Sequence, residues 1–172
     1  MSPSSTRLPA LLVTILLVLA AQFALATPAS AKLWKVPDPD LSLDPLTALS
    51  EYETRIVHLV NKKRKAADLK PVRYFNGCVD RAAERWSAHL VDIGELKHRN
   101  LDKLLTKCDL DWVGETLVRG SALLPGAAVK AWMASPPHRK VLMKPRARHA
   151  GVGTKVDADG RLVSVLNFSD PD

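Results

Sequence analysis

The sequence predicts an α+β domain in which packed helices are followed by a closing β-hairpin, and three observations carry that reading. Apolar residues recur at three- and four-residue spacing through stretches that begin near Leu46, after Gly77 and near Gly126. The tail then switches to β-rich runs around an Asp-x-Asp-Gly turn. Helices first and strands last, in a chain of single-domain size, point to a layered α+β architecture.

The N-terminus comes before that domain. Arg7 is the one charge ahead of an apolar run from Leu8 to Leu25, broken only by Pro9, Thr14 and Gln22. Small-residue sites follow at Ala24-Leu25-Ala26 and Ala29-Ser30-Ala31. A basic n-region, an apolar h-region and an A-x-A site are the parts of a cleavable secretory signal peptide, here residues 1–31, cut after Ala26 or Ala31. An uncleaved anchor is the competing reading, since roughly 18 apolar residues begin to span a bilayer. The expected address is therefore secreted, extracellular or at the cell envelope. Removing that segment leaves a chain of about 140 residues, enough for one domain with a proper core. Residues 32–45 hold three prolines and no helical or strand period, so they read as a linker or a surface arm that includes Trp34.

In the first helix, Leu49, Tyr52, Ile56, Leu59, Val60 and Ala67 share one face, with Glu51, Glu53, Lys62 and Lys65 on the wet side. Pro71 bounds it. The second helix opens after Asn76-Gly77, places Val79, Ala82, Ala83, Trp86, Leu90 and Ile93 inward, and ends at Gly94. Residues 95–113 read as loop with one helical turn. A third helix covers about Gly126 to Ala134, with Ala127, Val129, Ala131 and Trp132 as packing residues. Ser135-Pro136-Pro137 breaks it, and a short helix follows, because Pro is tolerated in a first turn. The runs 150–156 and 162–168 flank Asp157-Ala158-Asp159-Gly160 as a hairpin.

The formal charge of the whole chain is +7. Such a balance favours anionic surfaces, namely wall polymers, lipid head groups or nucleic acid. The cations are interleaved with acids except at Lys62-Lys63-Arg64-Lys65, which reads as a solvated helix face; no nucleic-acid partner is expected. Cys78 and Cys108, in an exported chain, read as a disulfide worth roughly 3–4 kcal/mol on the chain-entropy model. There is no Gly-rich phosphate loop, no G-x-S-x-G and no H-E-x-x-H. Asp157-x-Asp159-Gly160 resembles the start of a calcium loop but lacks its other ligands, so it reads as a turn.

What remains for chemistry is His98, Glu115 and His138, each placed at a helix end or in a loop. Two imidazoles and a carboxylate are a donor set for a divalent ion, zinc first, with a position left for water. Surface or capping histidines are the plainer reading of the same residues. His58, His89 and His149 read as structural or solvated.

Several ordered pieces then carry a resemblance. They are Leu59-Val60-Asn61-x-x-Arg64, Leu69-Lys70-Pro71-Val72, Ala82-Ala83-x-x-Trp86-Ser87, His98, Gly114-Glu115, Ala131-Trp132-Met133-x-Ser135-Pro136-x-His138-Arg139 and His149-x-Gly151-Val152-Gly153. In this order, over about residues 51–169, they resemble the CAP superfamily of cysteine-rich secretory, antigen and pathogenesis-related proteins, in its short bacterial form. The resemblance implies a three-layer α-β-α sandwich (the SCP fold) over residues 46–172, with a small antiparallel sheet and a C-terminal hairpin. It also implies a cleft lined by two histidines and two acids. His98 matches the first histidine, Glu115 the first acid and His138 the second histidine. Ser135 stands where many relatives have the second glutamate, Thr116 where Asn is usual, and Arg99 where a small residue is common.

Two functional expectations follow. The first is a non-enzymatic, monomeric binding module for a lipid, a sterol-like molecule or an anionic envelope ligand, with peripheral membrane contact. The second is a zinc-dependent hydrolase in which His98 and His138 hold the metal and Glu115 is the general base on its water. In a variant of it, Ser135 is a nucleophile beside His138.

Overall fold

A computed structural model describes residues 45–74 and 77–170. Its elements are α1 (Pro45–Lys65), β1 (Arg73–Tyr74), α2 (Gly77–Asp92), α3 (Asp102–Cys108), β2 (Val113–Gly120), α4 (Pro125–Ala134), α5 (Pro136–Leu142), β3 (His149–Val156) and β4 (Leu162–Ser169). The signal-peptide segment, Trp34 and the arm before Pro45 lie outside the described residues. No helix among the described residues is long and apolar enough to cross a membrane.

The strands form one four-stranded sheet in the order β1-β3-β4-β2. The hairpin pairs β3 with β4 antiparallel, and β4 pairs antiparallel with β2. β1 runs parallel to β3, so the small sheet, expected to be antiparallel, is mixed: β3, β4 and β2 are antiparallel and the short β1 is added parallel at the edge. The reason is local: α2 and α3, β2, α4 and α5 all lie between β1 and β3 in the chain, which gives the long crossover that parallel strands need.

Period-two alternation assigns the two faces. Ala150, Val152, Leu166 and Phe168 enter the larger core with Ile56, Val57 and Val60 of α1 and Val129 and Trp132 of α4. Val163, Val165 and Leu117 face the other way, onto Ala83 and Leu90 of α2. Helices therefore cover both faces, and the three-layer α-β-α sandwich is the architecture observed. The indole of the buried Trp132 donates to the Leu117 carbonyl at 2.9 Å and ties α4 to β2.

α2 lies unusually close to β3. A Cβ at Gly151 would come 2.3 Å from the Asp80 Cα, and one at Gly153 would come 2.4 Å from the backbone of Ala83 and Glu84. Only glycine allows that approach. It brings the Asp80 carboxylate to the Val152 N–H at 3.1 Å. The Cys78–Cys108 disulfide then joins the first turn of α2 to the end of α3, with Cα atoms 5.7 Å apart.

Several details differ from the sequence expectations. Residues 95–113 hold the two-turn α3 instead of one turn, and β2 adds a strand that the apolar runs did not single out. In α4 the buried alanine is Ala128; Ala127 and Ala131 are exposed, because the inward stripe runs through Ala128, Val129 and Trp132. Ala67 is exposed because α1 ends at Lys65 and the chain turns through Asp68, which has φ of 53°.

Two charged residues assigned to the wet side are buried. Arg64 is fully buried and makes no ion pair among the described residues. Its guanidinium instead donates to the carbonyls of Lys70 (2.9 Å), Leu142 (2.7 Å), Lys144 (3.1 Å) and Ala147 (3.1 Å). Carbonyl dipoles replace the water that a buried cation loses, and the contacts clamp the end of α1 to the segment leading into β3. Glu53 is buried against the β1 edge, where the Tyr74 hydroxyl donates to it at 3.3 Å. Burial first, and then the negative Glu84, push its carboxyl up to about 8.

Two stability predictions follow. Gly153→Ala should cost about 3 kcal/mol or more, since the clash is with backbone. Gly126→Ala, where a Cβ meets nothing within 4 Å, should be neutral or stabilising by up to about 1 kcal/mol. Denaturant titration of both variants checks the contrast, and equal effects would contradict the close packing. The folded state also keeps a proton on Glu53 that the unfolded chain releases, so stability should decline as pH rises from about 4.5 to about 8. Glu53→Gln should remove that decline, read by melting temperature across the same window.

Candidate functional site

The site is built on the chain that leaves α2. Gly94, at φ of +69°, ends the helix and turns the chain back. The Arg119 guanidinium donates to the carbonyls of Gly94 (2.9 Å), Glu95 (3.2 Å) and Leu90 (3.3 Å), and the Trp86 indole donates to the Lys97 carbonyl at 3.2 Å. The loop is thereby held over α2 and presents His98 and Arg99. Glu115 comes from β2 opposite Asn167 of β4, with both residues on the sheet face that meets α2.

Glu115 is fully enclosed, and both of its carboxylate oxygens are engaged. Oε1 lies 2.9 Å from His98 Nδ1, and Oε2 forms an ion pair with Arg99 Nε at 2.7 Å. A carboxylate oxygen facing an imidazole nitrogen accepts from it, so His98 donates its Nδ1–H to Glu115 and Nε2 stays outside that pair. Arg99 is anchored at three further points. It donates to the Ala82 carbonyl (2.9 Å) and to Asn167 Oδ1 (2.9 Å), and it lies 5.6 Å from the Trp86 ring centroid. Burial pulls the Arg99 pKa down and the Glu115 charge raises it again. Asn167 spends its amide N–H on the Val79 carbonyl at 2.9 Å.

His138 reaches the same place from α5, which packs along β2, and its ring centroid is 6.2 Å from that of His98. Burial, and then the neighbouring His98, hold it below the usual histidine value. Ser135 is the residue at which α4 ends and α5 begins; its carbonyl accepts the Arg139 N–H at 2.8 Å and its hydroxyl makes no capping bond. The structure therefore brings His98, Glu115 and His138 together. His58 and His89 are exposed, with His89 stacked 4.7 Å from Trp86, and His149 starts β3 beside Arg73.

The donor chemistry of this group does not fit a divalent ion. A permanent cation already sits 2.7 Å from the Glu115 carboxylate, and Ser135 supplies no second charge. Among the described residues no group of three or more His, Cys, Asp or Glu side chains is arranged to hold a metal. Sequence reasoning noticed Arg99 as a departure and did not place it in the site, and it missed Asn167 altogether. The signal for Asn167 was present: it is the amide in the otherwise apolar and small run Leu162-Val163-Ser164-Val165-Leu166-Asn167-Phe168.

Beside this network lies a cavity of about 480 Å³ between α2 and α3, lined by Arg85, Trp86, His98, Arg99, Lys103 and Lys107 among others. A second hollow of about 310 Å³ runs between α1 and α4 over Leu59, Val129 and Met133, with Lys62, Lys63 and Lys130 at its rim.

Comparison with known proteins agrees with this fold. The family model described as CAP, the cysteine-rich secretory protein family, matches residues 57–168. The chain belongs to that family, whose helix-sheet-helix sandwich it has. It is 28% identical over 114 residues to the uncharacterized protein YkwD of Bacillus subtilis, a match covering 62% of this chain and 44% of that one. An extracellular protein of Bacillus anthracis containing an SCP domain shares the fold with a TM-score of 0.63 at 21% identity, over 75% of this chain and 44% of that one. The chain thus spans less than half the length of these two relatives. NaASP2, crystallised with Zn2+, shares the fold with a TM-score of 0.53 at 12% identity, over 76% of this chain and 82% of that one.

The Arg99–Glu115 pair makes a direct prediction. Arg99→Ala strands a buried carboxylate and should cost about 3–5 kcal/mol. Adding Glu115→Gln to it should restore part of that loss, since no buried charge is then left unpaired. Denaturant unfolding of both variants reads the difference, and a double variant as unstable as the sum of its parts would contradict the pairing.

Proposed function

We propose that this protein is an exported CAP-domain binding module that takes a lipid, sterol-like or anionic ligand of the cell envelope and does not turn it over. The observation that carries the reading is the state of Glu115. A general base must reach a substrate or water proton with a free oxygen. Glu115 is enclosed, with one oxygen on His98 and the other against Arg99, a partner that stays charged at any physiological pH. That arrangement speaks against the zinc-hydrolase alternative, and among the described residues no base is hydrogen-bonded to Ser135 to activate it.

Binding needs no such group. The hollow between α1 and α4 has an apolar floor and a lysine rim, a combination that suits an amphiphile with an anionic head. The positive charge of the chain works in the same direction. The protein acts as a monomer, without nucleic acid, in contact with the envelope.

Sedimentation of the purified protein with isolated wall and membrane fractions tests the proposal. Saturable co-sedimentation, with no hydrolysis of the bound material, is the expected result. A broad screen of lipids and wall polymers that yields no saturable binding would remove the reading. Turnover that disappears in Glu115→Gln while the fold persists would replace it with the hydrolase.

A further inference from the structure

The cavity between α2 and α3 is a different place from the lipid-shaped hollow, and its lining has a distinct chemistry. Arg85 projects from α2, and Lys103 and Lys107 project from α3. None of the three forms an ion pair or a side-chain hydrogen bond among the described residues, whereas Arg99 beside them is matched by Glu115. Among the described residues no carboxylate lines the cavity. Asp102 borders Lys103 and Lys107 on an adjoining shallow surface and pairs with neither.

Such an arrangement is unfavourable when empty. Lys103 and Lys107 are four residues apart on one helix, where like charges repel. Arg85 is near enough to Arg99 to pull its pKa down. Packing and a disulfide oppose relief of the repulsion by splaying the elements. Leu104, between the two lysines, is buried with Ala82 and Val113, and Cys108, next to Lys107, is bonded to Cys78 of α2. Three uncompensated cations are thus held around a preformed space of about 480 Å³, within the range of small-ligand pockets.

We infer that this cavity is a binding site for an organic phosphate ester carrying two or more negative charges. Lysine ammonium groups act as point charges on phosphate oxygens, and an arginine adds a directed pair of donors. Trp86 and Leu104 supply an apolar wall for the carbon skeleton that carries the phosphate. A lipid head group and a soluble or polymer-borne phosphate present the same chemistry. The site goes beyond the proposed function, on which it rests only for the setting in which the anion is met.

Calorimetric titration with inorganic pyrophosphate tests the inference on the purified protein, on Lys103→Glu/Lys107→Glu, and on Lys65→Glu/Lys70→Glu as a charge-matched control. All four lysines are exposed, so melting curves should confirm intact folds. Saturable one-to-one binding that weakens by at least about tenfold in the first variant and little in the control supports the site. Absent binding, or equal weakening in both variants, overturns it. Phosphatidylcholine vesicles doped with phosphatidic acid then separate the sources. Competition by these vesicles assigns a lipid head group, and pyrophosphate binding without competition assigns a soluble or polymer phosphate. If Lys103→Glu/Lys107→Glu still sediments with envelope fractions but wild type ignores pyrophosphate, this inference fails and the binding-module reading stands.

Discussion

The closeness of α2 to β3 is the constraint on which the rest of the structure depends. Gly151 and Gly153 remove the side chains that would hold the helix away, and backbone meets backbone. At that separation short polar groups can span from helix to sheet. Asp80 reaches the Val152 N–H, Asn167 reaches the Val79 carbonyl, and Arg99 reaches both Asn167 and the Ala82 carbonyl. A layer spacing set by larger side chains would leave each of these groups buried without its partner, at a cost of about 1–3 kcal/mol apiece. The geometry of the cleft is therefore a consequence of helix-sheet packing, and His98 and Glu115 meet because the glycines let them.

A second pin acts on the opposite layer. Arg64 satisfies its charge entirely with carbonyls, two of which lie in α5's exit and two in the loops around it. Those carbonyls belong to segments with no regular partner, so the guanidinium supplies donors that no strand or helix would. It holds the chain between α5 and β3 in register with α1, and so fixes where α5 presents His138. The two sides of the cleft are thus positioned by separate devices, a tight glycine contact and a buried cation.

Much of this was legible in the sequence, and the failures share a cause. Helix periods located α1, α2 and α4, the Ser135-Pro136-Pro137 break located α5, the Asp-x-Asp-Gly turn located the hairpin, and ordered motifs located the family. β2 escaped because Val113-Gly114-Glu115-Thr116-Leu117-Val118-Arg119-Gly120 alternates without a polar face: Glu115 and Thr116 are both buried, one on each side. Arg64 and Glu53 were read as wet because charge usually marks solvent. Three of the four carbonyls that hold Arg64 lie 78 to 83 residues away, and the Glu53 partner, Tyr74, lies 21 residues on. Periodicity reports which face of a helix turns inward; it carries no information about which distant acceptors wait there. The same holds for Arg99, whose partners come from two other elements.

Arg99 also decides what kind of cleft this is. A buried carboxylate beside two imidazoles needs a counter-charge, and either a bound cation or a side chain can provide it. Here the guanidinium is covalently part of the chain, tied to Glu115, Asn167, Ala82 and the Trp86 face. It neutralises Glu115 as an ion would. Yet it offers no vacant position at which a water could be polarised, and it cannot dissociate. With Glu115 so satisfied, the imidazoles are left as hydrogen-bonding walls, and burial, then the neighbouring His98, hold His138 below the usual histidine value. The cleft is electrostatically closed within itself, which leaves the unpaired charge of this face to Arg85, Lys103 and Lys107 just outside it.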